Sequence, residues 1–174
     1  MTRGFKNNNP GNIRLNPYIQ WEGQIDGEDQ SFVKFKSMAF GIRALMKLLI
    51  NYHKRGYNTI SKIINRYAPP YENNTSNYIE IISRKMGISK DSILDLEKVV
   101  VLLKLTKAII SVEIGDYSEI IPNSDYSKAL LILKNPKVGE FVLTLKLIGS
   151  KIYDYWYIII LIPVILYQLK KIWK

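Results

Sequence analysis

The stretch that decides the fold of this chain is LEKVVVLLKLTKAIISVEIG, residues 96–115. Asp95 precedes it and is suited to open a helix, and Gly115 stands where helices commonly stop. Apolar residues dominate the stretch, and a helix that is apolar on most sides requires a core around it. The sequence therefore predicts a central helix from Leu96 to about Glu113, with a carboxylic acid at its end.

Further helices are predicted on both sides of this one. From Met38 to Lys54 apolar residues recur on one helical face, with Ser37 placed to cap the start and Gly56 to end it. Shorter helices are predicted from about Asn58 to Tyr67, from Ser76 to Met86, and from Ser124 or Asp125 to Leu133.

The amino-terminal part of the chain has a different pattern. Residues 1–36 show little helical periodicity, and proline and glycine interrupt them repeatedly. Asp26 and Gly27 predict the turn of a short hairpin, with residues 32–35 as its second strand. The predicted fold class is therefore mainly α with a small β-like region near the start.

Composition excludes several kinds of chemistry. The 174-residue chain contains no cysteine and one histidine, His53. Disulfides, thiolate catalysis and cysteine-bound zinc are excluded, and a histidine-rich metal site is not expected. We expect neither a metal nor a cofactor.

The charge of the chain limits its partners. The formal net charge is +10, which fits nucleic acid, an anionic membrane surface or an anionic cell-wall polymer. The basic residues are scattered, without a run of five or six like charges. Nucleic acid is therefore the least favoured of these partners.

The carboxyl-terminal end predicts a membrane anchor. Residues 155–169 carry no charge, and Lys170, Lys171 and Lys174 follow them. A helix over residues 152–169 would span the hydrocarbon core of a bilayer if the terminal lysines snorkel to the surface. Residues 152–174 are therefore predicted to be a single transmembrane anchor with a basic tail. Residues 135–151 are predicted to be a linker or interfacial segment, which leaves residues 1–134 as the folded domain. The alternative is a core helix buried in a soluble protein.

Two distinctive strings carry a resemblance to a known family. They are RGFKNNNPGNIR, residues 3–14, and APPYENNT, residues 68–75. Weaker matches follow the same order, namely WEGQ at 21–24, FVKF at 32–35, GIRA at 41–44 and EIG at 113–115. Over roughly residues 3–130 the chain resembles a family of phage and prophage proteins described as virion structural proteins or as lysozyme-like peptidoglycan-degrading proteins.

The resemblance implies a lysozyme-like fold that binds peptidoglycan glycan strands. The implied activity is that of a lytic transglycosylase or muramidase, cleaving the β-1,4 bond between N-acetylmuramic acid and N-acetylglucosamine. The anchor is similar in kind to those on wall-degrading proteins of membrane-containing phages. It implies a place in the internal membrane of a virion, or in the host inner membrane during assembly, beside other virion proteins.

Glu113 is the candidate catalytic acid, because it ends the central helix next to a glycine turn. Relatives tend to carry Glu-Asn-Gly where this chain has Ile114 between Glu113 and Gly115. In ordinary lysozyme-like proteins the acid lies upstream of the Asn-Pro-Gly-type segment, whereas here it lies downstream, as in a circularly permuted chain. The alternative is a solvated carboxylate at a helix end. Glu22, beside an aromatic residue, and Asp29, in the β-like region, are the other candidates.

Candidate substrate-binding residues come from the same motifs. Asn9, Asn12 and Arg14 offer amide and guanidinium donors suited to N-acetyl and lactyl groups. Trp21 and Tyr71 are suited to stack on sugar rings. For the asparagines the alternative is turn chemistry, because asparagine bonds its own backbone and tolerates left-handed geometry.

Three functions remain open at this point. The favoured one is a virion-associated, membrane-anchored enzyme that degrades peptidoglycan and aids passage of the phage genome. The second is a catalytically inactive structural membrane protein of a virion, built on the same scaffold. The third, a membrane tether for nucleic acid, requires a contiguous basic face that the sequence does not show.

Overall fold

A computed structural model of the chain describes residues 1–71 and 73–134. The predicted linker, residues 135–151, and the predicted anchor, residues 152–174, lie outside the described residues. The secondary-structure elements are α1 (Arg3–Lys6), β1 (Gln24–Ile25), β2 (Lys34–Phe35), α2 (Met38–Lys54), α3 (Ile60–Tyr67), α4 (Thr75–Met86), α5 (Val99–Ile114), a 3-10 helix (Gly115–Ser118) and α6 (Asn123–Lys134). The prediction of a mainly helical chain with a small β region is confirmed.

Helix α5 is the central helix that the opening stretch predicts. It buries apolar side chains and packs against α1, α2 and α4, while α2 also packs along α6. The helix begins at Val99, three residues later than predicted. The Asp95 carboxylate accepts a hydrogen bond from the Glu97 amide at 3.1 Å, so Asp95 forms a local turn instead of the helix cap.

The other predicted helices begin and end within two residues of their predicted positions. Helix α2 has the predicted bounds, but the Ser37 side chain, predicted to cap its start, forms no capping hydrogen bond. The Asn74 side chain caps α4 by accepting a hydrogen bond from the Asn77 amide, and Thr75 is the first helical residue, one position before the predicted start at Ser76. The Thr75 hydroxyl is buried and donates to the carbonyl of Ala68, which joins the start of α4 to the end of α3.

The hairpin is shorter than predicted. Strands β1 and β2 pair antiparallel over two residues each, with Gln24 opposite Phe35. Phe32 and Val33 are not part of β2 because they pair with a different segment: Phe32 bridges Arg14, and the Val33 amide donates to the Ile13 carbonyl. The β region therefore connects the hairpin to the segment that carries the NNNPGNIR string.

We call residues 7–12 the asparagine loop, because its asparagine side chains bind it to its neighbours. Asn7 donates to the carboxylate of Asp29 at 2.7 Å, and Asn8 donates to the carbonyl of Phe35 at 3.0 Å. These two bonds fix the loop against the hairpin. Asn8 has a positive φ of 51°, a conformation that asparagine adopts more readily than most residues.

A close approach fixes the other side of this loop. A side chain at Gly41 would place its Cβ 1.9 Å from the Asn8 carbonyl oxygen and 2.8 Å from Pro10. Only a glycine lets the loop lie directly against α2. The loop is consequently held between the hairpin and the helical core.

Within residues 1–71 and 73–134, no helix is both long enough and apolar enough to cross a membrane.

Candidate functional site

Glu113 occupies the last turn of α5, just before the chain turns at Gly115. Its side chain is largely buried, and this burial raises the pKa of the carboxyl group above its usual value. Hydrogen bonds from Tyr78 and Asn12 lower the pKa in part but do not reverse the shift. The end of the central helix thus presents an acid that retains its proton to higher pH than a solvated glutamate.

Both carboxylate oxygens of Glu113 have a donor. The Tyr78 hydroxyl on α4 donates to Oε1 at 2.8 Å, and the Asn12 side-chain amide donates to Oε2 at 2.8 Å. Asn12 also approaches the backbone carbonyl of Glu113 at 3.4 Å. Three separate parts of the chain therefore meet at this one carboxyl group.

Tyr78 keeps its hydroxyl proton and therefore bonds Glu113 in both protonation states of that acid. Its side chain is buried, and burial, with Tyr67 and Glu113 nearby, raises the pKa of its hydroxyl far above the usual value. The hydroxyl therefore remains protonated across any pH at which the protein would work. It donates to the Glu113 carboxylate, or accepts from Glu113 when that acid is neutral.

Tyr67 connects this pair back to the asparagine loop. Its ring meets the Tyr78 ring edge to face, with centroids 6.5 Å apart, and its hydroxyl donates to the carbonyl of Gly11. Gly11 precedes Asn12, so the contacts run in a circuit through Glu113, Tyr78, Tyr67 and the loop. Each member of the circuit is held by two neighbours, which restricts the orientation of the acid.

Glu113 lines a cavity of about 310 Å³ between the asparagine loop, α2, α3 and the end of α5. Among the described residues that line it, Glu113 is the only carboxylic acid. Its wall combines apolar or aromatic side chains with polar groups, and the lining residues are Gly11, Asn12, Ile13, Arg14, Phe32, Leu48, Tyr52, Tyr67, Ala68, Asn73 and Glu113. Such a mixture is typical of small-molecule and sugar sites.

Two of the predicted binding residues, Asn12 and Arg14, line this cavity together with Glu113. Asn12 has a positive φ of 44°, which turns the loop so that its amide reaches the acid. Arg14 lies at the rim, with its guanidinium 5.5 Å from the centroid of the Phe32 ring, another lining residue.

Asn9 lies beneath the loop instead. It is fully buried, its amide nitrogen donates to the carbonyls of Ile13 and Val33, and its oxygen accepts from the Ile13 amide. Asn9 therefore has no exposed atom that could make the predicted contact with a ligand. Asn9 instead fits the alternative of turn chemistry, because its side chain bonds the backbone and fixes the conformation of the loop.

Trp21, Glu22 and Tyr71 do not line the Glu113 cavity. Trp21 packs partly against the core, and Tyr71 projects into solvent with 83% of its surface exposed. Glu22 forms an ion pair with Arg43 on α2 at 2.7 Å, with both side chains largely covered. The ion pair with Arg43 is typical of a carboxylate with a structural role.

Asp29 lies in another cavity, of about 670 Å³, near the amino terminus. Backbone hydrogen bonds from Ser31 and Phe32, a side-chain bond from Asn7 and the charge of Arg3 lower the pKa of its carboxyl group. Its ion pair with Arg3 measures 3.1 Å. A carboxylate with these partners favours its charged form, and it does not share the Glu113 cavity.

Tyr78 is the site residue that the sequence did not single out. It lies 35 positions from Glu113, and no short-range pattern connects a buried tyrosine of one helix with an acid at the end of another. Phe32 and Asn73, which line the cavity, were likewise not predicted to do so. Among residues 1–71 and 73–134, no group of three or more His, Cys, Asp or Glu side chains is placed to hold a metal ion.

Comparison with known proteins relates the chain to a phage protein. No protein-family profile matches it. The chain is 41% identical over 99 residues to Protein P5 of Pseudoalteromonas phage PM2, a match that covers 55% of this chain and 62% of that protein. The chain therefore spans less than two thirds of that relative's length. The similarity supports a phage origin for the chain.

Proposed function

We propose that this chain is a virion-associated, membrane-anchored enzyme that cleaves peptidoglycan glycan strands, with Glu113 as its general acid. One observation carries the proposal: a largely buried glutamate with a raised pKa ends the central helix and lines a cavity beside polar and aromatic side chains. A carboxylic acid with a raised pKa in a cleft is what protonation of a glycosidic oxygen requires.

In the proposed reaction, Glu113 transfers its proton to the glycosidic oxygen as the bond from that oxygen to the anomeric carbon breaks. The resulting carboxylate then takes the proton from a hydroxyl of the same sugar as that hydroxyl oxygen bonds to the anomeric carbon. Glu113 is protonated again at the end, and the sugar leaves as an anhydro product.

The transglycosylase route and hydrolysis differ in the number of carboxylates that they need. A hydrolytic glycosidase needs a second carboxylate, roughly 5–5.5 Å from the acid in retaining enzymes and about 6.5–9.5 Å in inverting ones. The described lining of the cavity supplies Glu113 alone, and Asp29 lies in a different cavity.

Three further observations support the proposal that the enzyme is a membrane-anchored phage protein. The similarity to Protein P5 of phage PM2 supports a phage protein. The mainly helical fold with a small hairpin is compatible with the lysozyme-like scaffold that the motifs imply. The uncharged stretch over residues 155–169 carries the proposal of a membrane anchor in a phage particle.

A second candidate function is a structural membrane protein of the virion that keeps the scaffold without the activity. The observation that favours it is the occupation of both Glu113 oxygens by donors from Tyr78 and Asn12, since donors favour the charged form of a carboxyl group. Ile114, in place of the usual asparagine, points the same way. The two functions share a fold and differ in whether Glu113 releases a proton to a substrate.

The test is digestion of purified peptidoglycan by the full chain in a non-ionic detergent, with products identified by mass spectrometry. Glu113→Gln keeps the side-chain shape but removes the transferable proton, so we expect product release to fall by about 10²- to 10⁴-fold. Glu97→Gln is the matched control, because Glu97 is an exposed glutamate outside the Glu113 cavity. Anhydro products establish the transglycosylase route, and reducing ends establish hydrolysis.

Two results would reject parts of this proposal. Equal release by the parent and Glu113→Gln would retain an enzyme but remove Glu113 as the acid, and Asp29→Asn would be tested next. No release by a folded parent would favour the structural protein.

A further inference from the structure

A second cavity, which we call the basic cavity, lies on the far side of α5 from Glu113. It measures about 530 Å³ and is lined by Lys85, Lys104, Lys107, Ala108, Ser111, Ser118, Glu119, Ile121, Asn123 and Tyr126. On a helix with about 100° per residue, Lys104 and Ser111 point roughly 160–180° away from Glu113. The central helix therefore has one face towards the proposed catalytic cavity and another towards the basic cavity.

Charge is concentrated in this hollow. Lys85 comes from α4, Lys104 and Lys107 from α5, and Glu119 is the one carboxylate among the lining residues. Within residues 1–71 and 73–134, none of the three lysines forms an ion pair. Lys104 and Lys107 lie three residues apart on α5, a spacing at which like charges on a helix repel each other. An anion in the cavity would relieve this repulsion.

The ammonium of Lys107 is held in place at the cavity. Its Nζ donates to the side-chain oxygen of Asn123 at 2.9 Å and lies 4.7 Å from the centroid of the Tyr126 ring. An ammonium has three donors, so a lysine fixed by one hydrogen bond and one ring contact still has N–H groups to offer a ligand. Ser118 adds a hydroxyl to the same lining, whereas the Ser111 hydroxyl donates to the Ala108 carbonyl at 2.8 Å.

We propose that the basic cavity binds a phosphate group, either free or as the headgroup of an anionic lipid. Phosphate oxygens accept several hydrogen bonds at once, which matches ammonium and hydroxyl donors converging from different elements. The site lies away from Glu113 and does not depend on the activity proposed for that residue.

The shape of the basic cavity favours a single phosphate group over a nucleic-acid strand. A strand binder tracks a backbone with a groove of charges and stacks bases on exposed aromatic rings. Here three lysines surround one hollow, and the Tyr126 ring is buried. A compact anion fits this arrangement.

The experiment is NMR of the full chain in non-ionic detergent, titrated with inorganic phosphate at constant ionic strength. Dihexanoyl phosphatidylglycerol and dihexanoyl phosphatidylcholine form separate arms, which distinguish a lipid headgroup from free phosphate, and a duplex DNA arm tests for nucleic acid. We expect saturable shifts at Lys107, Ser111 and Ser118. In the double variant Lys104→Gln/Lys107→Gln we expect the phosphate affinity to fall about tenfold or more, as expected for lost charge-assisted hydrogen bonds.

A matched control separates a site from diffuse attraction. Lys54→Gln/Lys62→Gln removes the same charge from exposed positions outside the basic cavity, and the affinity should stay within about twofold of the parent. Saturation by phosphatidylglycerol but not phosphatidylcholine would identify a headgroup, and saturation by phosphate alone a soluble ligand; both support the proposal. Equal loss in both double variants, no saturable shift, or saturation by duplex DNA alone would overturn it.

Discussion

The side-chain amide of Asn12 donates a hydrogen bond of 2.8 Å to the carboxylate of Glu113, 101 residues further along the chain. Asn12 belongs to a loop held by the hairpin and α2, whereas Glu113 ends the central helix. The setting of the proposed acid therefore depends on two distant parts of the chain. Changes in either part should alter the proton affinity of Glu113.

The first prediction concerns stability and pH in Glu113→Gln. Burial raises the pKa of Glu113 above its usual 4.5, so the folded protein binds this proton more tightly than the unfolded chain. The stability that this proton contributes is complete below pH 4.5 and is lost as pH rises through the folded-state pKa. The unfolding temperature of Glu113→Gln minus that of the parent should therefore increase as pH rises.

Thermal unfolding followed by circular dichroism at pH 4, 6 and 8 measures this gain. Glu97→Gln is the control, because Glu97 is exposed and its removal takes away no buried charge. A Glu113→Gln offset that is the same at all three pH values would contradict a raised pKa.

The second prediction concerns Tyr78→Phe. Losing this donor removes a hydrogen bond that lowers the pKa of Glu113, so the pKa should rise further. If Glu113 acts as an acid, the alkaline limb of the activity profile should move to higher pH, and stability at neutral pH should fall by about 1 kcal/mol. Tyr57→Phe is the control, because Tyr57 packs on Tyr52 and does not bond Glu113. A limb that moves to lower pH would refute the assigned role of Tyr78.

The sequence predicted the helices well because their signals are local. The bounds of α2 follow from a periodic apolar face that starts after Ser37 and from Gly56, two residues beyond Lys54, all within one segment. The carboxylic acid at the end of α5 was identified for the same reason. The start of α5 was misplaced because Asp95 has two uses, as a cap or in a turn, and only the packed structure decides between them.

The surroundings of Glu113 were harder to predict because they are made by distant contacts. The partnership of Tyr78 with Glu113 and the edge-to-face contact of Tyr67 with Tyr78 join separate helices. The asparagines were recognised as a motif, but the motif does not reveal that Asn9 is buried while Asn12 reaches the acid. Which asparagine faces a cavity depends on how the loop packs.

The third prediction uses the backbone at Asn12, whose φ is 44°. Asn12→Gly removes the amide without strain, whereas Asn12→Ala removes the amide and forces an alanine into left-handed geometry, at a cost of about 1–2 kcal/mol. Both variants should shift the alkaline limb of activity upward by a similar amount, since both lose the same donor to Glu113. The free energy of unfolding, measured with urea, should be about 1 kcal/mol lower for the alanine variant than for the glycine variant. Equal stabilities would contradict the positive φ.

The fourth prediction concerns the close approach between α2 and the asparagine loop. A Cβ at Gly41 would lie 1.9 Å from the Asn8 carbonyl oxygen, so Gly41→Ala must push the loop away from the helix. We expect a loss of about 3 kcal/mol in unfolding free energy, because overpacking against backbone cannot relax by a rotamer change. The displaced loop should also withdraw Asn12 from Glu113, with faster amide hydrogen exchange across residues 7–12.

Gly27→Ala is the matched control for that fourth prediction. A Cβ at Gly27 would lie 2.9 Å from the Lys34 side chain, which is flexible and can move aside, so the stability should change by less than about 1 kcal/mol. Exchange across residues 7–12 should stay at the parent rate in this control. If Gly41→Ala were as stable as Gly27→Ala, with unchanged exchange, the loop would not be in contact with α2. The geometry proposed for the acid would then lose the support that brings Asn12 to Glu113.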